Sequence, residues 1–196
     1  LLNRSSDLGE LPEHIIYPAL DYLMERMGNR IYLVVADYIW GILIAEGIKN
    51  YVRSKGTDVV AVEYLPLSKA NFRITIENIL ETQPDILVFL GVGQNHNHFH
   101  VQWSQWGNPS VPILAPNCIN ESYLHKLYPP PLMENTYFMT SYIEELETEK
   151  GIHFRESFRK RHSSSAIPYL GSEAEVAYTA VYLYKLAVEL AGTTET

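Results

Sequence analysis

Residues Arg30–Gly41 read RIYLVVADYIWG. The five residues Ile31 to Val35 are apolar without alternation, the pattern of a strand buried on both faces of a parallel sheet. Ala36, Asp37, Tyr38 and Trp40 follow where such a strand opens into a loop and then a helix. In open α/β sheets that carboxyl end is where ligands bind. Tyr and Trp rings there stack on a small planar molecule, and each keeps one polar atom for a hydrogen bond. The stretch points to a small-ligand site and carries no sign of a catalytic one.

Helix and strand patterns alternate on both sides of it. Glu13–Met27 repeats apolar residues near period 3.6 and stops at Gly28-Asn29. Ile39–Lys55 reads as a helix ended by Gly56, and Asp58–Leu65 as a strand. Asn71–Thr82 is an amphipathic helix, Ile86–Leu90 a strand and Asn95–Trp106 a helix ending at Gly107. Val111–Ala115 is a fourth strand, Ser122–Leu127 a short helix and Asn135–Tyr142 a fifth strand after the break at Pro129–Pro131. Strands separated by such helices imply right-handed βαβ units, hence an α/β fold with a doubly wound parallel sheet and helices on both faces. After Tyr142 the alternation ends. His153–Arg161 and Glu173–Ala191 read as helices with no strand between them. The second is apolar enough along one face to require a partner surface.

The 196 residues carry a net charge of −8 and one cysteine. No Lys/Arg run forms a nucleic-acid footprint, so no direct nucleic-acid partner is expected. The single Cys118 excludes an intrachain disulfide framework. It has no nucleophile constellation around it and reads as a small buried side chain. No Gly-X-Ser-X-Gly motif is present. GVGQNHN at Gly91–Asn97 lacks the third glycine of a dinucleotide fingerprint and the lysine of a phosphate loop. Its glycines permit a tight strand-to-helix turn, and no cofactor is implied. His96 and His100, four apart, share a helix face as two-imidazole metal sites do. With no third ligand nearby, the expectation is no metal and surface imidazoles on a polar helix start. Glu144, Glu145, Glu147 and Glu149 read as a solvated acidic run.

Four stretches resemble the type I periplasmic binding proteins in the family's own order. They are YLVVADYIWG, EYLPL at Glu63–Leu67, DILVFLGVGQNHNHF from Asp85 to Phe99, and EVAYTAVYLYKLAVELAG at Glu175–Gly192. The likeness is greatest to the amide- and urea-binding group, which includes urea-transporter substrate-binding proteins and the amide sensor of aliphatic amidase. Ala36 stands where that group has Ser, Gly41 where it has Pro, Trp40 where the amide sensor has Tyr, and Gln94 where urea-binding relatives have Asp. Phe89-Leu90 replaces a more polar pair, and Asn117–Glu121 matches one residue out of register.

The resemblance implies two lobes with a solute held between them. Residues 1–142 would then form most of the second lobe, and residues 143–196 would return to a largely absent first lobe. It implies a substrate-binding component of an ABC transporter, working with a membrane permease, or alternatively a ligand-sensing domain with a signalling partner. It leaves a homodimer open and predicts a periplasmic or extracellular setting, cytoplasmic only for an amide-sensor-type regulator. The expected solute is a short amide, urea or amino acid, and no enzymatic activity is expected. Candidate contacts are Tyr38 and Trp40 as an aromatic wall, with Gly93, Gln94, Asn95, His96, Asn117 and Glu121 at the solute's edges. Asp37 has two readings, a solute hydrogen bond and a cap on the following helix, of which the cap is favoured.

Overall fold

The computed structural model describes residues 11–116, 123–128, 130–163 and 169–194. Cys118, Asn117 and Glu121 lie outside them. Among the described residues the element order is α1 (Pro12–Ile15), α2 (Tyr17–Met27), β1 (Ile31–Ala36), α3 (Ile39–Ser54), β2 (Val59–Leu65), α4 (Arg73–Thr82) and β3 (Ile86–Leu90). Then come α5 (Gln94–Trp106), β4 (Ile113–Leu114), α6 (Leu124–Leu127), β5 (Thr136–Tyr137), α7 (Glu149–Arg161) and α8 (Ser172–Ala191). The chain divides into two compact units, residues 11–139 and residues 140 onward.

The first unit is a five-stranded sheet in the order β2-β1-β3-β4-β5. Every pairing is parallel. β1 and β3 lie inside the sheet and are buried at every residue, as their unbroken apolar runs require. β2 is an edge strand and is mostly half-buried, with Val60 and Tyr64 exposed. Ile31, Leu33, Val35, Ile86, Val88 and Leu90 pack on one face against Leu20 and Leu23 of α2 and Ala45, Ile48 and Val52 of α3. The intervening residues point to the opposite face. There Phe89 stacks on Phe99 of α5 at 4.1 Å between ring centroids, and Phe72 meets both edge-on. A polar tie crosses this face: Tyr32 Oη and Thr75 Oγ1 donate to the two carboxylate oxygens of Glu63 at 3.2 and 2.7 Å. Burial and the Glu63 carboxylate push the Tyr32 phenol up to about 12.

Several boundaries differ from the sequence reading. The first helix is two, because Pro18 has no N–H to donate and its ring crowds the carbonyl four residues earlier. The fifth strand is Thr136–Tyr137 instead of 135–142. Among the described residues its neighbour is β4, two residues long, with Pro112 directly before it and Pro116 two residues after it, neither of which can donate to a ladder. α7 begins at Glu149, four residues before the expected start, because the Thr148 hydroxyl accepts the Gly151 N–H at 3.1 Å and caps it.

In the second unit, Ile143 and Gly171 form an antiparallel bridge, and Tyr142 and Tyr178 pack on Phe154. The acidic run is not solvated throughout. The Glu144 carboxylate accepts from Arg159 at 2.7 Å and from the Leu170 N–H at 2.9 Å, and Glu145 accepts from Tyr169 Oη at 3.1 Å. These carboxylates hold α7 and the segment before α8 together. Most of α8 is exposed, with Val181 at 70% and Leu190 at 89%.

Candidate functional site

The strand order reverses at β1. The chain moves from β1 outward to β2, then crosses back to β3 on the other side. The carboxyl ends of β1 and β3 thus flank a topological switch point, the usual location of ligand crevices in such sheets. Two loops meet there, residues 37–38 and residues 91–93. A recess below them, lined by Ala36, Leu65, Phe72, Phe89, Gly91 and Asn95, leaves no room for a water-sized body.

Tyr38 and Trp40 come together. Tyr38 is extended at φ −155°, and α3 starts at Ile39, yet the two rings stack at 6.1 Å with an interplanar angle of 27°. Both are partly exposed, and Trp40 also rests on the hydrophobic core. Core packing holds Trp40, and the Tyr38 ring stacks on it.

Asp37 does not cap α3. The N-cap position is Tyr38 and has no side-chain cap bond. The Asp37 N–H donates instead to the Leu65 carbonyl at 2.7 Å, which fixes the backbone one residue too early for its carboxylate to reach the first turn. The carboxylate is exposed and has no partner among the described residues. The N–H groups of Ile39, Trp40 and Gly41 also lack acceptors among the described residues, the first acceptor in α3 being the Tyr38 carbonyl for Ile42. A carboxylate, two stacked rings and three oriented donors thus share one short segment.

Gly41 makes that segment compact. A Cβ built there would lie 2.3 Å from the Ala36 carbonyl oxygen and 3.1 Å from Val35 Cγ1. Only a residue without a side chain lets the first turn of α3 close onto the end of β1. Gly41→Ala should therefore cost about 1–3 kcal/mol, as backbone overpacking does, measured by urea denaturation; a change below 0.5 kcal/mol, roughly the scatter of surface substitutions, would contradict this packing.

The β3–α5 turn is built differently from the expectation. Gly93 is exposed at φ +52°, a backbone region that favours glycine, and Gln94 is exposed at the first helical position. The Asn95 and His96 N–H groups are already taken by the Val92 and Gly93 carbonyls, at 3.1 and 3.3 Å. Asn95 is buried, and its Nδ2 donates to the Leu67 and Lys69 carbonyls. It therefore holds protein backbone where solute contact was expected.

His96 and His100 are not surface imidazoles. Both are wholly buried, stacked at 6.2 Å, and ringed by Phe89 and Phe99. The His100 nitrogens have no hydrogen-bond partner among the described residues, and the Gly91 backbone is the polar neighbour of the His96 ring. Burial pushes His96 down to about 4, slightly opposed by the Gly91 backbone, and burial with His96 nearby pushes His100 down to about 3. Both are neutral core side chains at pH 7, so His96 is removed from the candidate contacts. No group of three or more potential metal ligands occurs among the described residues. A cavity of about 540 Å³ lies in the second unit between α7 and α8, lined by Glu149, Lys150, His153, Phe154, Tyr178 and Tyr182.

A model of the periplasmic binding protein domain family matches residues 7–196. The chain belongs to this family. Solved structures with the same fold include an ABC transporter substrate-binding protein from Sphaerobacter thermophilus (22% identity, TM-score 0.71), which covers 83% of this chain and 44% of its own. A branched-chain amino acid ABC transporter periplasmic ligand-binding protein from Burkholderia xenovorans aligns at 15% identity and TM-score 0.74, over 89% of this chain and 46% of its own. A solute-binding protein of an ABC transporter from R. palustris, in complex with 4-hydroxybenzoate, aligns at 17% identity and TM-score 0.69, over 89% and 48%. Curated protein sequences gave no match. This periplasmic binding protein domain thus spans about half the length of the solved structures it matches. The doubly wound sheet read from the sequence is the fold of those structures. Among its described residues, no helix is long and apolar enough to cross a membrane.

Proposed function

We propose that this chain supplies one lobe of a two-lobe solute-binding protein and reversibly binds a small polar solute as the substrate-binding component of an ABC transporter. Residues up to 142 form the lobe, and residues 143–196 return toward a first lobe that covers the apolar face of α8. The protein works in the periplasm beside a membrane permease and performs no chemistry on its solute.

The observation that carries this reading is the stacked Tyr38–Trp40 pair beside the switch point. A flat solute on these rings meets the free N–H groups of α3 with its oxygen and the Asp37 carboxylate with its N–H. Short amides, urea and amino acids present both groups. A benzoate, the class held by the R. palustris neighbour, presents a ring and oxygens but no N–H donor for Asp37. Closure of two lobes follows because a solute touching both binds the closed state better.

Thermal-shift and calorimetric titration with acetamide, urea, L-leucine and benzoate test the reading. Tyr38→Ala and Trp40→Ala should each weaken binding of the preferred solute at least tenfold, on the order of 1.4 kcal/mol. Unchanged affinity in both variants would remove the aromatic pair from the site.

A further inference from the structure

Two side chains of α5 lace a neighbouring loop into place. Asn95, buried in the first turn, donates Nδ2 to the Leu67 carbonyl at 3.1 Å and the Lys69 carbonyl at 2.9 Å. Two turns later Gln102 uses both ends of its amide. Its Nε2 donates to the Ala70 carbonyl at 2.7 Å, and its Oε1 accepts the Phe72 N–H at 2.8 Å. All four bonds fall on residues 67–72, the connection between β2 and α4. The residue just before this connection, Leu65, accepts the Asp37 N–H at 2.7 Å. The loops after β1, β2 and β3 are thereby braced into one rim at the carboxyl edge of the sheet.

We infer that Asn95 is a positioning residue of the solute site. It acts through the β2–α4 loop and touches no solute. The inference rests on the proposed function for what the rim holds, though the brace itself does not depend on it. Asn suits the position because its amide nitrogen carries two diverging hydrogens for two carbonyls two residues apart. Asp has the same shape but offers no donor and sets a carboxylate against both carbonyls. With Asn95 lost, the loop exchanges among conformations, of which a fraction fits the solute. Apparent affinity falls by that fraction.

Hydrogen exchange of residues 66–72 tests the brace in Asn95→Ala and Asn95→Asp. Ile79→Val and Ile79→Ala, on the buried side of α4, serve as stability-matched controls. Both Asn95 variants should speed exchange in this loop at least tenfold while β1 amides keep their wild-type rate. The Ile79 variants should leave the loop unchanged. For the solute that the wild-type chain binds among acetamide, urea, L-leucine and benzoate, the Asn95 variants should raise Kd fivefold or more, and the controls should not. Unchanged loop exchange would overturn the brace. Faster exchange with control-like affinity would overturn the positioning role. Failure of the wild type to bind any of the four would count against the proposed function, and loop exchange would still decide whether Asn95 holds the rim.

Discussion

Moving from pH 7 to pH 5 should destabilise this protein by about 2 kcal/mol at each of His96 and His100. Both imidazoles are wholly buried, and burial lowers them to about 4 and about 3. An unfolded chain holds them near the ordinary value of 6.5. Between those limits the unfolded state binds more protons than the folded one. Stability is therefore undiminished above pH 6.5 and falls as the pH drops below it, until the folded values are reached. Carboxylates add their own acid dependence, so the comparison is made against His100→Leu. That variant has one imidazole fewer and removes the two unpaired nitrogens of His100. Its loss between pH 7 and pH 5, read by urea denaturation, should be smaller than wild type by about 2 kcal/mol. At pH 7 it should be as stable or more so, because replacing unsatisfied polar atoms with apolar ones of similar size is neutral or favourable. Equal pH slopes would show that the imidazoles are solvated.

Phe89→Ala should cost about 3–5 kcal/mol, the range for truncating a large aromatic in a core that relaxes only partly. Phe89 is 1% exposed and touches Phe72, Phe99, His96 and His100. It also packs so close over Gly91 that a Cβ there would lie 2.2 Å from the ring. Removing the ring opens a cavity lined by two imidazoles, a polar site that admits water. The variant should therefore lose much of the acid sensitivity as well as the stability. Urea denaturation at pH 7 and pH 5 reads both effects. A loss under 1.5 kcal/mol, less than is typical for such a truncation, or an unaltered pH slope, would contradict this picture of the aromatic face.

The two inner strands were the most legible part of the chain. Ile31–Val35 and Ile86–Leu90 are apolar without interruption, and only a strand covered on both faces reads that way. β4 and β5 were overdrawn because apolar content marks burial, whereas ladder length depends on which residues can donate. Pro112 and Pro116 cannot. The imidazoles were misplaced for a comparable reason. His96, Phe99, His100 and Trp103 follow the spacing of a core stripe, and the polar residue type masked it. Tyr38 and Trp40 were legible as a pair, but their stacking depends on how α3 begins, which rests on a carbonyl of β2 holding the Asp37 backbone. The brace by Asn95 and Gln102 had no sequence signal, because its four partners are backbone groups, three carbonyls and one N–H, of a loop that no periodicity describes.

The sheet is unevenly knitted. β1 pairs along six residues with β2 and along five with β3, whereas β4 and β5 join along two each. Residues 31–90 thus hold most of the ladder within a short span of chain, where closing each crossover costs little entropy. Assembly should begin in that βαβαβ core, and the strands beyond it should add later. Truncating Val35 should slow folding, whereas truncating Leu114 should chiefly speed unfolding, a difference that stopped-flow kinetics reads directly.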